Sequence, residues 1–398
     1  MARAKSDTAL LDGVLDRLEQ ILGPANPFIP LHVPEFDGDE RSLVTECINT
    51  GWVSSVGSFV DQFERDVAAA TCTAHCVAVV NGTASLEVAM VVAGVRRGDE
   101  VLMPALTFVA TANAAHHLGA IPHFVDSASD TLGLDPVALA VHLRAVGRRG
   151  PDGLVNSATG RRISCVVPMH VFGHPVDMDG LADVAAEFGL VIVEDAAEAL
   201  GSQYRGKPLG GFGRVAALSF NGNKIVTTGG GGAIVTDDEA LARRTKHLTT
   251  TAKVPHRWAF DHDEPGYNYR LPNINAALGV AQMAQLSGRV EKKRLLAQRY
   301  IDGFGGFDFG SIFAEPTGAR SNYWLNALVL APGTDEAARN ALLDGLNAAG
   351  YMARPVWTLM HRLMFHADCP RAALPVAEDL EQRIVNLPSS AMLADHRA

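Results

Sequence analysis

The sequence predicts an α/β protein with a mostly parallel sheet in a large domain and a smaller domain beside it. The chain has 398 residues, more than one ordinary compact core organises. From about residue 77, short apolar runs alternate with helical patterns, which is typical of strands and their crossover helices. After Lys224 this alternation is replaced by two long helical stretches. That change indicates a domain boundary near residues 270–290.

The first half of the chain is assigned in order. Leu10, Val14, Leu18 and Leu22 recur along one helical face up to Gly23-Pro24, which predicts an amphipathic helix that packs on its own domain or on a partner. Strand-then-helix patterns follow at CVAVV (76–80) with TASLEVAMVVAGV (83–95), VLMP (101–104) with TFVATANAAHHLG (107–119), and ISCVVP (163–168) with DMDGLADVAAEFG (177–189). The strand LVIVED (190–195) closes the series.

The second half departs from that order. AIVTD (233–237) and NALVLA (326–331) predict strands, and residues 272–286, 288–303 and about 335–348 predict helices. We therefore predict a first domain over residues 1–280, which holds the N-terminal helix and the large sheet. A small α+β domain over residues 281–398 follows.

The composition excludes several classes of protein. With a formal net charge of -10, the chain lacks the broad basic surface that nucleic-acid binding needs. Its five cysteines are odd in number and scattered, which indicates reduced thiols. The first 23 residues carry charges throughout their apolar pattern, unlike a signal peptide or a membrane span. We therefore expect a cytoplasmic protein whose partners include neither nucleic acid nor a membrane.

The strongest chemical feature is SFNGNKIVTTGGGG at residues 219–232, where Lys224 lies between a strand-like run and four glycines. A lysine forms a Schiff base when its amine is partly deprotonated and held near a carbonyl, which burial and neighbouring groups can arrange. Glycines let the backbone approach a flat cofactor and its phosphate. A solvated loop lysine is the ordinary interpretation, and the context of Lys224 favours the catalytic one.

A second feature, VIVEDAAEALGS at residues 191–202, places Asp195 at the carboxyl end of a buried strand. A carboxylate there can keep a pyridine nitrogen protonated, so that the ring withdraws electrons from a reacting carbon. Glu198, three residues further on, is expected to reach the hydroxyl of the same ring. From the residues alone, an aspartate that caps a following helix explains Asp195 equally well.

A third feature, VVNGTASLE at residues 79–87, places Asn81, Gly82 and Thr83 between a strand and a helix. Exposed N–H groups and the positive end of the helix dipole make such a turn suitable for a phosphate. An ordinary helix start has the same composition, with Thr83 and Glu87 assisting the first turn.

Three other patterns are rejected. Residues 211–216 match G-x-G-x-x-A, but a strand follows them where a dinucleotide site needs a helix. Residues 201–207 have the spacing of a P-loop, yet Pro208 follows where that loop needs a hydroxyl and an N–H. His361, His366 and Cys369 fit no standard metal spacing, so we predict no metal site.

Together these features resemble the fold-type I enzymes that use pyridoxal 5'-phosphate (PLP), and within them the nucleotide-sugar aminotransferases. The resemblance runs from FIPLHVPEFDG (28–38) to NLPSS (386–390). Between them its motifs are GWVSSVGSFVDQFE, PALTFVAT, PMHVFGHPVDMD, VEDAAEALGS, SFNGNKIVTTGGGG, GYNYRLPNINAALG and ARPVWTLMH. The resemblance implies a mostly parallel seven-stranded sheet in the large domain, PLP as the cofactor, and transfer of an amino group.

The resemblance also implies roles for individual residues. Lys224 is expected to form the Schiff base with PLP, Asp195 to pair with the ring nitrogen, and Phe108 to stack on the ring. The residues that match phosphate contacts are Gly82, Thr83 and Ser219.

A further implication concerns assembly. Asn268, in GYNYRL, matches a residue that reaches the phosphate of the neighbouring subunit's cofactor. Arg270 is expected to contact a substrate anion in the same composite site. The resemblance therefore implies a homodimer with shared active sites.

One position departs from the family pattern. Gly230 stands where many members have a glutamate, and this change is expected to alter the flexibility of the loop or its sugar contacts. Related dehydratases have a histidine in place of the lysine, so Lys224 favours transamination.

The motifs FNGNKIVTTGGGG and KHLTTTAKVPHRW are most similar to enzymes that aminate C4 of a UDP-linked 4-keto-6-deoxy-N-acetylhexosamine. Such enzymes serve bacillosamine-type and legionaminic-acid-type pathways for surface polysaccharides, and glutamate is the expected amino donor. Three alternatives remain open: dehydration of a nucleotide sugar, transamination of an amino acid, and a non-catalytic regulator of the same fold.

Overall fold

The computed structural model describes residues 2–395, with side chains from residue 8 onward. Its α-helices are α1 (Ala2–Leu22), α2 (Glu40–Thr50), α3 (Ser58–Thr71), α4 (Gly82–Val92), α5 (Val109–His117), α6 (Pro136–Val146), α7 (Met178–Phe188), α8 (Glu239–Thr249), α9 (Asn273–Met283), α10 (Leu286–Gly303), α11 (Glu336–Ala348) and α12 (Pro375–Arg383). Among the described residues, no helix combines the length and the apolar character that crossing a membrane requires.

The strands are β1 (His75–Val79), β2 (Glu100–Pro104), β3 (Ile121–Val125), β4 (Gly147–Gly150), β5 (Gly153–Asn156), β6 (Ile163–Val166), β7 (Val191–Asp195), β8 (Gln203–Tyr204), β9 (Lys207–Pro208), β10 (Val215–Ser219), β11 (Gly232–Thr236), β12 (Gly310–Ile312), β13 (Ala319–Arg320), β14 (Asn326–Leu330), β15 (Arg354–Pro355) and β16 (Ile384–Leu387).

A seven-stranded sheet forms the centre of the molecule, in the order β1-β11-β10-β7-β6-β2-β3. Strands from β10 to β3 pair in parallel, whereas β11 is antiparallel to both β10 and β1. Successive side chains alternate between two buried clusters: Leu102 belongs to one, and Val101 and Met103 to the other. This alternation is expected where helices cover both faces of a sheet. The predicted α/β fold with a mostly parallel seven-stranded sheet is confirmed.

Several elements of this region were not predicted, and β3 and α6 are two of them. The segment that forms β3 contains Pro122 and His123, and neither residue favours a strand. β3 is the edge strand of the sheet, where a proline is tolerated. The imidazole of His123 is satisfied by the buried Glu100 carboxylate, at 2.8 Å from Nδ1, and this contact is visible only in three dimensions.

The C-terminal part contains an antiparallel sheet in the order β12-β14-β16-β15. The apolar face of α1 packs here, since Val14 and Leu18 are fully buried in one cluster with Leu296, Tyr300 and Leu328. α1 therefore contributes to the core of the C-terminal region, although the predicted division placed it within residues 1–280. The division near residue 281 stays a prediction.

The central sheet also positions the ends of three strands. β1, β7 and β10 run in the same direction, so their carboxyl ends meet at one edge of the sheet. β7 ends at Asp195, β10 ends at Ser219, and α4 begins at Gly82 directly after β1. Ligands of open α/β sheets bind at this edge.

Candidate active site

A cavity of about 670 Å³ opens at this edge of the sheet. Its walls come from the strand ends, the start of α4, and residues of the C-terminal region such as Trp324, Arg354 and Trp357. Seven residues predicted from the sequence line it, namely Gly82, Thr83, Phe108, Asp195, Glu198, Ser219 and Lys224. The structure therefore brings together residues that lie up to 142 positions apart in the chain.

The amino end of α4 forms one wall. The N-cap is Asn81, whose side chain accepts a hydrogen bond from the N–H of Ala84 at 2.8 Å. Ser219 lies so close to Gly82 that a Cβ at Gly82 would approach the serine Cβ to 2.7 Å. A glycine here lets the first turn of α4 and the end of β10 meet, which brings the free N–H groups of the helix start and the Ser219 hydroxyl close together.

In the alternative of an ordinary helix start, Thr83 and Glu87 assist the first turn, but the structure gives the capping role to Asn81. Glu87 binds the imidazole of His117 and accepts a hydrogen bond from the Tyr269 hydroxyl at 3.1 Å. Asn81 takes the capping role because its short amide side chain reaches the first free N–H groups of the helix.

Asp195 lines the cavity and is buried, with 3% of its surface exposed. Its carboxylate accepts hydrogen bonds from the Thr111 hydroxyl at 2.6 Å and from the N–H of Ala197 at 3.2 Å. Burial raises the pKa of Asp195, against the opposing effects of these hydrogen bonds and of the Lys224 charge. A cation bound beside this carboxylate would favour its ionised form. The next α-helix in the chain is α8, so the helix-cap alternative for Asp195 is wrong.

Lys224 lies in the loop after β10, with 12% of its side chain exposed. Its Nζ is 3.2 Å from Glu198 Oε1 and 3.9 Å from the centre of the Trp324 ring. The other carboxylate oxygen of Glu198 accepts a hydrogen bond from the N–H of Phe172 at 2.9 Å. Burial raises the pKa of Glu198 to about 7, although Lys224 acts in the opposite direction. The amine and two buried carboxylates therefore share one cavity.

Glu194, the neighbour of Asp195, has a different role. The N–H groups of Gly210, Phe212 and Gly213 donate to its carboxylate, and His170 contacts the same group at 3.3 Å. Burial opposes the charge, but the hydrogen bonds hold the pKa of Glu194 below its usual value. The glycine-rich segment rejected above as a dinucleotide motif thus binds a buried carboxylate of its own chain.

Asn268 and Arg270 lie outside the cavity. Asn268 is exposed, and Arg270 lines a separate cavity of about 610 Å³ with Trp52, Val56 and Lys246. Backbone bridges pair Asn268 with Thr250 and Arg270 with Val79. Within one chain the structure does not bring these residues to Lys224, and their action on a partner's site stays a prediction.

Three residues at the site were missed by the sequence analysis. Thr111 holds Asp195, Trp324 covers the Lys224 amine, and Arg354 lines the cavity opposite the sheet. Thr111 lies in the motif PALTFVAT, so its spacing from Phe108 could have indicated it. Arg354 lies in β15 of the C-terminal sheet and Trp324 lies just before β14, and both are more than 90 residues from the lysine loop in the chain.

The loop around Gly230 leaves space for a side chain. A Cβ built at Gly230 meets no other atom within 4 Å, and its carbonyl lies 3.5 Å from the amide of Asn275. The absence of the family's glutamate is therefore not imposed by packing in this chain.

The cavity fits PLP on its own chemistry. The start of α4 and Ser219 offer donors to a phosphate, and the lysine amine lies where an aldehyde could react with it. Burial raises the pKa of Asp195, and a protonated ring nitrogen beside it would favour its ionised form. A mostly parallel sheet with these groups at its carboxyl edge is the arrangement expected of a PLP-dependent enzyme.

Comparison with known proteins identifies the family. The model of the DegT/DnrJ/EryC1/StrS aminotransferase family matches residues 34–398. GDP-perosamine synthase from Escherichia coli O157:H7 is 34% identical over 371 residues, which cover 93% of this chain and 95% of the relative. The spore coat polysaccharide biosynthesis protein SpsC of Bacillus subtilis strain 168 is 35% identical over 288 residues, 70% of each chain.

A solved structure supports the same conclusion. DesI, determined in the presence of its TDP-sugar product, has a TM-score of 0.79 and 28% identity, and the match covers 93% of this chain and 91% of DesI. The chain belongs to the DegT/DnrJ/EryC1/StrS aminotransferase family, and its cofactor is PLP.

Proposed function

We propose that the protein transfers an amino group from glutamate to a keto sugar linked to a nucleotide, and that Lys224 is the catalytic lysine. The observation that carries this proposal is the position of the Lys224 amine. It lies in one cavity with the buried Asp195 and with the amino end of α4. The relatives named above include enzymes of nucleotide-sugar and polysaccharide metabolism, which supports a sugar as the acceptor.

Different residues of the cavity have different roles in the reaction. When bound, PLP supplies an aldehyde that reacts with amines and a ring that withdraws electrons from the reacting carbon. Asp195 holds a proton at the ring nitrogen, and Thr111 orients its carboxylate. Lys224 would hold the cofactor through its amine and, once released, would carry a proton to and from the reacting carbon. Gly82, Thr83 and Ser219 would hold the phosphate, and Phe108 would stack on the ring.

Two further assignments concern the substrate and the assembly. The sequence motifs favour a UDP-linked 4-keto-6-deoxy-N-acetylhexosamine, with amination at C4. The GDP-perosamine synthase relative favours a GDP-linked sugar as the second candidate. We further propose a homodimer in which Asn268 and Arg270 of one subunit act at the cavity of the other.

The test is incubation of the purified protein and PLP with glutamate and a panel of UDP-, GDP- and TDP-linked 4-keto-6-deoxy sugars. Mass spectrometry measures the amino sugar, and a coupled assay measures the 2-oxoglutarate released. We expect an amino sugar from one nucleotide class and none from the Lys224→Ala variant. A dehydrated sugar would indicate the dehydratase alternative, and amination of small keto acids alone would indicate an amino-acid aminotransferase.

A further inference from the structure

Trp324, from the C-terminal region, contacts the loop that carries Lys224 at two points. It lies just before β14, is 5% exposed and lines the cavity. Its indole N–H donates a hydrogen bond to the carbonyl of Asn223 at 2.7 Å. The Nζ of Lys224 lies 3.9 Å from the centre of its ring. One side chain therefore holds the backbone next to the lysine and covers the lysine's amine.

The position of Trp324 is itself held by buried groups. The backbone N–H of Trp324 donates to Asn322 Oδ1 at 2.8 Å, and its backbone carbonyl accepts a hydrogen bond from the buried Lys293 amine at 3.1 Å. The side-chain amide of Asn322 donates to the backbone carbonyl of Glu198 at 2.9 Å. Trp324 and Glu198, the two groups that contact the Lys224 amine, are thus connected through Asn322.

We propose that Trp324 is a positioning residue that keeps the Lys224 amine in the cavity whenever it is not covalently attached to the cofactor. The inference rests on the role of Lys224 in the proposed function. The four-carbon stem of lysine is flexible, so a free amine leaves its place unless nearby groups retain it. The electron-rich face of an indole attracts a cation, and the Glu198 carboxylate attracts it from a second direction.

Two substitutions separate the contributions of the ring and of its N–H. Trp324→Phe keeps an aromatic face and removes the donor to Asn223, whereas Trp324→Leu removes both. In the cofactor-free protein, a small reagent that reacts with amines should label Lys224 about tenfold faster in Trp324→Leu than in the wild type. The rate in Trp324→Phe should be intermediate. Peptide mass spectrometry measures this rate. In the loaded enzyme, we expect kcat to fall about tenfold in Trp324→Leu and less in Trp324→Phe.

The matched control is Phe304→Leu. Phe304 is a buried residue of the cluster that packs against α1, and it does not line the cavity. Equal labelling of Lys224 and equal kcat in Trp324→Leu and Phe304→Leu would overturn the positioning role. If Trp324→Leu does not fold, Trp324→Met replaces it, since methionine fills much of the volume without a ring.

Borohydride reduction of the wild type, followed by peptide mapping, is done first. A pyridoxyl group on Lys224 confirms the lysine on which the inference depends. A pyridoxyl group on another lysine would refute the proposed role of Lys224 and the role of Trp324 with it. With Lys224 confirmed, failure of the labelling experiment refutes Trp324 alone.

Discussion

Two regions that the sequence assigned to one active site occupy different places in the structure. The residues at the ends of β1, β7 and β10 line one cavity, whereas Arg270 lines another and the exposed Asn268 lines neither. Parallel strands direct their carboxyl ends to the same edge, so motifs that follow such strands converge within one chain. The segment around Asn268 is held beside β1 by its own backbone pairing. A matching motif therefore indicates a role, but the subunit on which the residue acts depends on assembly.

The largest expected effect tests the cavity at the ends of β1, β7 and β10. Lys224→Ala should abolish turnover, because the variant loses the amine that attaches the cofactor, and the described lining of the cavity contains no second lysine. The variant should keep the secondary structure of the wild type by circular dichroism. The control is Lys207→Ala, an exposed lysine outside the cavity, which should retain activity. Substantial turnover in Lys224→Ala would contradict the assignment of this cavity as the active site.

Asp195→Asn should lower kcat about a thousandfold or more, because an amide supplies no negative charge to keep the ring nitrogen protonated. The amide is nearly isosteric with the carboxylate, so the protein should still bind PLP. Steady-state kinetics with saturating PLP measures the effect. Near-normal turnover would contradict the proposed pairing of Asp195 with the ring.

Glu198 should make the stability of the cofactor-free protein depend on pH. Its folded pKa of about 7 lies above the usual value of 4.5, so the folded chain retains a proton that the unfolded chain has lost. Its contribution to stability is full below pH 4.5 and is lost as the pH rises through 7. The unfolding free energy of the wild type minus that of Glu198→Gln should fall across this window by roughly 3 kcal/mol. Urea titrations at several pH values measure this difference, and a constant difference would refute the prediction.

The smallest expected effect tests the segment that contains Asn268 and Arg270. Lys224→Ala chains and Asn268→Ala/Arg270→Ala chains are mixed under subunit exchange. If active sites are shared, half of the dimers are hybrids and each hybrid has one site without defects, so activity should recover to about a quarter of that of the wild type. Exchange among wild-type chains controls for losses during mixing. Verified hybrids without recovery would show that Asn268 and Arg270 do not complete a partner's site.

Neighbouring residues show how far local patterns predict function. Glu194 and Asp195 end the same strand, and the sequence analysis assigned the site role to Asp195 without a role for Glu194. Side chains alternate across a strand, so Asp195 faces the cavity while Glu194 receives three backbone N–H groups of the glycine-rich segment. That second set of contacts requires the loop after β9 to fold back, which local sequence does not determine.

The sequence by itself determined most of the alternating strands and helices of the large sheet, the lysine loop and the carboxylate at a strand end. Each of these depends on residue periodicity and on groups a few positions apart. Only the tertiary structure decided that α1 packs on the C-terminal core, that Thr111 holds Asp195, and that Trp324 covers the Lys224 amine. These contacts join segments 84 or more residues apart, and they arise from packing that no single segment encodes.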